Sequence, residues 1–192
     1  GATFDETKLL RWLETILGPY GLVVYDSSDP AAKPLVADLF ARELGAPGRT
    51  ARLAQAAGEA LAARGHQPQV VPQPDSVALF HLDGARRSIR RQGEHFVAGE
   101  STFAIDTLVD QARTAPHLFS PNVLLRPLVQ DTLFPTICYV AGPSELAYLG
   151  QLRDVYDSFG IPMPLMYPRA TATLVDSATS RFLAKYDVPT EE

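Results

Sequence analysis

A continuous apolar run that ends abruptly in Gly-Pro constrains this chain most. Thr136-Ile137-Cys138-Tyr139-Val140-Ala141 follows Pro135 and stops at Gly142-Pro143. A short unbroken run closed by turn residues reads as a strand covered on both faces, the kind found in parallel sheets. Gly21-Leu22-Val23-Val24-Tyr25 is a second such run. Helical patterns flank both. Leu9, Leu10, Leu13, Ile16 and Leu17 form one stripe over 5–17, stopped by Gly18-Pro19. Asp26-Ser27-Ser28-Asp29-Pro30 supplies loop and cap chemistry before a helical stretch to about residue 44. An Ala-rich helix is expected over 49–64, with Gly65 as its stop. Residues 104–113, 123–133 and 177–186 also read as helix. After Gly142, Leu146, Leu149, Leu152, Val155, Tyr156 and Phe159 recur at near-helical spacing up to Gly160. Residues 163–167 and 171–175 are weaker strand candidates.

The pattern changes between these segments. Residues 66–75 read as irregular. Val77–Leu82 precedes Asp83-Gly84, and Asp-Gly between strand-like runs signals a hairpin because the turn needs positive φ. The return strand falls at about 85–91, and a further short strand at 95–98. The predicted fold class is therefore α/β: a mostly parallel sheet with flanking helices and a small antiparallel hairpin insertion.

Composition narrows the function. Of 192 residues, 46% are apolar and 20% charged, which fits a folded globular chain. No run of about 18 apolar residues occurs, so no membrane partner is expected. A net charge of −5 leaves no overall basic footprint for nucleic acid. A single cysteine excludes an internal disulfide, and no Cys or His cluster points to a metal. Cys138 itself reads as an inert buried thiol. The setting reads as cytoplasmic.

Chemistry is expected at two junctions. Ligands of open parallel sheets bind beyond the carboxyl ends of strands, and a helix start offers unpaired N–H groups there. Gly142 leaves room for close approach, and Pro143 suits the first helical position. Glu145 has two readings: it reaches back to the cap N–H in a capping box, or it meets a ligand. Tyr148 and Gln151 extend the same face as a polar wall or as a solvated helix side. In the second junction Asn122 suits an N-cap, and Arg126 and Gln130 lie four apart on one helix face. A guanidinium among apolar neighbours needs an anion, either an internal carboxylate or a ligand. Arg169, after Tyr167-Pro168, lies at the ligand edge of the sheet or on the surface. The run Arg86, Arg87, Arg90 and Arg91 is a solvated hairpin face or a phosphate site. No glycine-rich phosphate loop is present.

These residues carry a resemblance. The order Ser-x-Asn-Val-x-x-Arg-Pro-x-x-Gln is met by Ser120, Asn122, Val123, Arg126, Pro127 and Gln130. Pro135, Gly142, Pro143, Glu145, Ala147 and Tyr148 follow a Pro-led strand and a Gly-Pro-Gly-Glu-Ile-Ala-Tyr pattern. Phe159, Gly160, Met163, Pro164, Pro168 and Arg169 complete it. Over 119–175 the chain resembles the BshC family, cysteine ligases of bacillithiol biosynthesis. Ser144 stands where the family pattern has its second glycine.

The resemblance implies a partial Rossmann-like core over 1–192, with an inserted helix and hairpin at about 48–100. It implies joining of L-cysteine to the amine of glucosaminyl-malate, with ATP or ADP as a cofactor by analogy only. It also implies a family homodimer built on a C-terminal coiled coil, and an N-terminal region with a Thr-Gly-Gln-Gln-Pro-Gly-like motif. Neither region is in this sequence, so a central fragment without the complete active site is expected. Asn122, Arg126 and Gln130 are then expected to anchor an anionic group. Gly142, Glu145, Tyr148 and Arg169 would shape the cleft, and no catalytic acid–base pair stands out. The alternative is a non-catalytic α/β ligand-binding or interaction module that keeps the fold.

Overall fold

The computed structural model describes residues 6–188. Helix α1 (Glu6–Leu17) forms as its stripe predicts and ends in a 3-10 turn at Gly18–Tyr20. Its stripe is not covered, and Trp12 is 58% exposed. The run 21–25 forms no strand, and Val23 is 79% exposed. Asp29 caps a 3-10 segment, Pro30–Val36, by accepting from the Ala31 N–H at 2.8 Å. Helices α2 (Ala37–Gly45) and α3 (Arg49–Ala62) follow.

The hairpin is the main sheet rather than an insertion. Strands β1 (Ser76–Asp83) and β2 (Ala85–Gln92) turn at Gly84, whose φ is 62°. Strands β3 (His95–Ala98) and β4 (Ser101–Ala104) extend the meander. Helix α4 (Ile105–Thr114) crosses back, and β5 (Phe119–Pro121) pairs with the other edge of β1. The order is β4-β3-β2-β1-β5, and every pair is antiparallel. The mostly parallel sheet expected from the sequence is therefore wrong. Its physical reason is partner choice: 21–25 takes no strand partner, while short local turns let β1 to β4 pair with their neighbours in sequence. The sheet and helices α2 and α4 share one core, with Phe40, Leu44, Leu79, Ile89, Phe96, Leu108 and Phe119 fully buried.

One parallel unit remains. Helix α5 (Arg126–Leu133) leads to β6 (Cys138–Ala141), then α6 (Pro143–Leu149), α7 (Arg153–Phe159) and β7 (Leu165–Pro168). Strands β6 and β7 pair in parallel, from Cys138 opposite Leu165 to Ala141 opposite Pro168. The β6 run is not covered on both faces: Cys138 and Val140 are exposed. Residues 171–175 form no strand, and α8 (Ser177–Lys185) closes the described chain. Among the described residues no helix is long and apolar enough to cross a membrane.

The helix expected over 143–159 breaks at Gly150–Leu152 because Gln151 turns inward. Its carboxamide oxygen accepts from the Gln69 and Val70 N–H groups, each at 3.1 Å. Its nitrogen donates to the Ala54 carbonyl at 3.2 Å and the Val70 carbonyl at 2.9 Å. Gln151 is fully buried and ties α3, the 66–75 segment and the α6–α7 joint together. It is a latch and not part of a polar wall.

Glu43 is a second buried tie. Its carboxylate accepts from the Thr50 hydroxyl in a short hydrogen bond and from the Ala78 N–H at 2.7 Å. Burial pushes its pKa above the usual carboxylate range, against the pull of those two donors.

Two measurements check these ties. Gln151→Ala leaves the Gln69 and Val70 N–H groups and the Val70 carbonyl without their partner and is expected to cost about 3 kcal/mol in urea unfolding. A loss below about 1 kcal/mol would refute the latch. For Glu43 the folded carboxyl holds its proton more tightly than the unfolded one. Stability therefore falls as pH rises from the unfolded value into the raised folded range. Glu43→Gln should flatten that decline above the usual carboxylate range, and an unchanged pH profile would exclude this role.

Candidate functional site

A cleft of about 720 Å³ opens beside the antiparallel sheet. Five segments build it: 23–27, the 3-10 segment with Lys33, β2 with Arg86, β5 with Ser120 and Pro121, and α5 with Arg126, Val129 and Gln130. Leu133, Phe134 and Thr136 complete one wall. Three cations face this space, and among the described residues no carboxylate lines it. Tyr25 is held there by its ring, which meets Phe134 edge-on at 5.2 Å.

Each cation is placed by neutral groups. Lys33 is buried, donates to the Phe119 carbonyl at 3.3 Å and lies 6.0 Å from the centre of the Phe40 ring. Burial, and then the charge of Arg86, lowers its pKa. Arg86 donates to the Pro121 carbonyl at 2.9 Å and stacks 4.0 Å over Phe80. Arg126 donates through Nη2 to the phenol of Tyr139 at 3.0 Å and to that of Tyr148 at 2.7 Å. Burial works against its charge, but the hydrogen bonds and charge interactions with Tyr139 and Tyr148 together raise its pKa.

The strand-to-helix junction lies behind Arg126. Glu145 closes a capping box by accepting from the Gly142 N–H through Oε2 at 3.0 Å. Its Oε1 accepts from the Tyr139 hydroxyl at 3.4 Å. A Cβ on Gly142 would stand 2.8 Å from Nη2 of Arg169, so the missing side chain admits that guanidinium. Arg169 is held by its backbone N–H on the Ala141 carbonyl at 2.8 Å.

The residues singled out from sequence divide into groups. Arg126 and Gln130 line the cleft. Gly142, Glu145 and Tyr148 connect to Arg126 through hydrogen bonds, and Arg169 packs on Gly142. Asn122 faces its own backbone: Oδ1 accepts from Leu124 at 2.9 Å and from Leu125 at 3.3 Å. Sequence reasoning missed Lys33, Val23, Tyr25 and Ser27. A lysine set between Pro30 and Pro34, straight after a polar loop, was the available signal. Arg86 was seen only as one member of a basic run.

This geometry defines an α/β domain with a cationic cleft beside a parallel strand–helix–strand unit. Residues 6–170 match the family described as "Bacillithiol biosynthesis BshC, N-terminal Rossmann-like domain". The chain is 39% identical to "Putative cysteine ligase BshC" of Chloroherpeton thalassium, over 86% of this chain and 30% of that protein. It is 38% identical to the like-named protein of Heliobacterium modesticaldum, over 98% and 36%. The protein of Koribacter versatilis is 37% identical, over 92% and 34%. The chain belongs to the BshC family of bacillithiol biosynthesis. It spans about a third of the length of these curated relatives.

Cys138, read from sequence as buried, is a free and exposed thiol on β6. Ellman's reagent should therefore titrate one thiol per chain in the native protein, without denaturant. A thiol that reacts only after unfolding would contradict this placement.

Proposed function

We propose that this chain is part of a ligase that joins L-cysteine to the amine of glucosaminyl-malate, and that its cleft holds the malate end. A cleft lined by Lys33, Arg86 and Arg126, with no carboxylate among the described residues that line it, carries this reading. Three cations brought together repel one another unless an anion joins them. A malate group brings two carboxylates, and guanidinium forks suit carboxylates in bidentate geometry. Gln130 adds an amide on the Arg126 side. In this reading Asn122 acts by setting the start of α5, and Gly142, Glu145 and Arg169 act from behind the cleft wall. Amide formation releases water from a carboxyl and an amine, so the cysteine carboxyl needs activation. A nucleotide is the co-substrate we propose by family analogy. A reducing cytoplasm suits thiol substrates of this kind.

Calorimetric titration of the chain with glucosaminyl-malate, L-malate and glycerol tests the reading. The two malate ligands should bind, glycerol should not, and affinity should fall as salt screens the site. Arg126→Gln and Lys33→Met should each weaken L-malate about tenfold or more. Equal affinity for L-malate and glycerol would end the case. Parallel titrations with ATP and ADP test the nucleotide.

A further inference from the structure

We infer that Tyr139 and Tyr148 are positioning residues that aim the Arg126 guanidinium into the cleft. This rests on the anion reading above. Arg126 is the first residue of α5, Tyr139 lies in the middle of β6, and Tyr148 lies near the end of α6. Three elements thus meet at one guanidinium nitrogen. Both hydrogens of Nη2 are taken by the two phenol oxygens, at 3.0 and 2.7 Å. Of the five N–H donors of an arginine, the three on Nη1 and Nε remain for a ligand.

The chemistry of the holders matters. A carboxylate in contact with Arg126 would fix it equally well but would cancel its charge. Phenols fix it and leave the charge for the ligand. Burial raises the phenol of Tyr148 above its usual range, against the pull of Arg126, so it stays neutral at ordinary pH. The one carboxylate in this chain of contacts stands one step back. Glu145 accepts hydrogen bonds from the Tyr139 hydroxyl through Oε1 and from the Gly142 N–H through Oε2. The capping box at the start of α6 therefore sets the direction of the Tyr139 hydroxyl, and that hydroxyl turns its lone pair to Arg126. Freed from both phenols, a long arginine side chain regains rotamer freedom that binding must remove again.

Calorimetric titration with L-malate of the native chain, Tyr139→Phe, Tyr148→Phe, Arg126→Gln and the two double variants tests this. Each Phe variant should weaken L-malate about three- to tenfold, with the melting temperature within about 2 °C of native. In the Arg126→Gln background the same Phe changes should alter affinity less than about twofold, because nothing remains to be aimed. Phe variants that bind as the native chain does would overturn the positioning role. So would equal losses in both backgrounds, which mark a purely structural effect. If Arg126→Gln alone leaves L-malate affinity intact, the anion reading itself fails, and that result is separate from the other two.

Discussion

Asn122 joins the two halves of this fold. Its backbone N–H donates to the Ala78 carbonyl at 2.9 Å and so extends the pairing of β5 with β1. Its carbonyl accepts from the Arg126 N–H at 2.9 Å, and its side chain collects the N–H groups of Leu124 and Leu125. One residue thereby ends a strand, caps a turn and starts α5. The antiparallel sheet supplies Arg86 and Ser120 to the cleft, and α5 supplies Arg126 and Gln130. Their separation is set where Asn122 sits. Without that cap, buried Leu124 would carry an unpaired N–H group, and Leu125 would keep only its 3.3 Å bond to the Asn122 carbonyl.

Local signals were legible and partner choice was not. The Asp83-Gly84 turn, the Gly142 to Glu145 capping box and most helices follow from spacings of a few residues, and the structure contains them. Residues 21–25 look like a strand because apolar runs look alike whatever they pack against. In the structure Val23 and Tyr25 line the cleft instead. Strand β5 has three residues, and β4 runs straight into α4, so neither stands out in the sequence. Whether a sheet is parallel depends on which strands meet, and that is decided by contacts between distant segments. Gln151 belongs to the same class: its spacing fits a helix face, while its four partners lie far back in the chain.

The candidate site shows the same division. Arg126 and Gln130 were found because four-residue spacing on a helix is readable. Lys33 and Arg86 reach the same cleft from other segments, and only the folded chain brings them together. The counter-charge expected for Arg126 was either a protein carboxylate or a ligand. The structure gives it two phenols, with Glu145 held away by its own capping role.

The parallel pair β6–β7 has only two strands, and Val140, Leu165 and Tyr167 on it are 56%, 67% and 60% exposed. Two strands gain little independent stability, and open edges recruit other backbone. Yet this ribbon delivers Gly142 and carries Tyr139. The part of the molecule that directs the guanidinium is thus also a two-stranded ribbon with exposed apolar side chains. Crispness of recognition in the cleft is therefore borrowed from whatever stiffens that ribbon, and its fraying would blur the site well before the antiparallel sheet gave way.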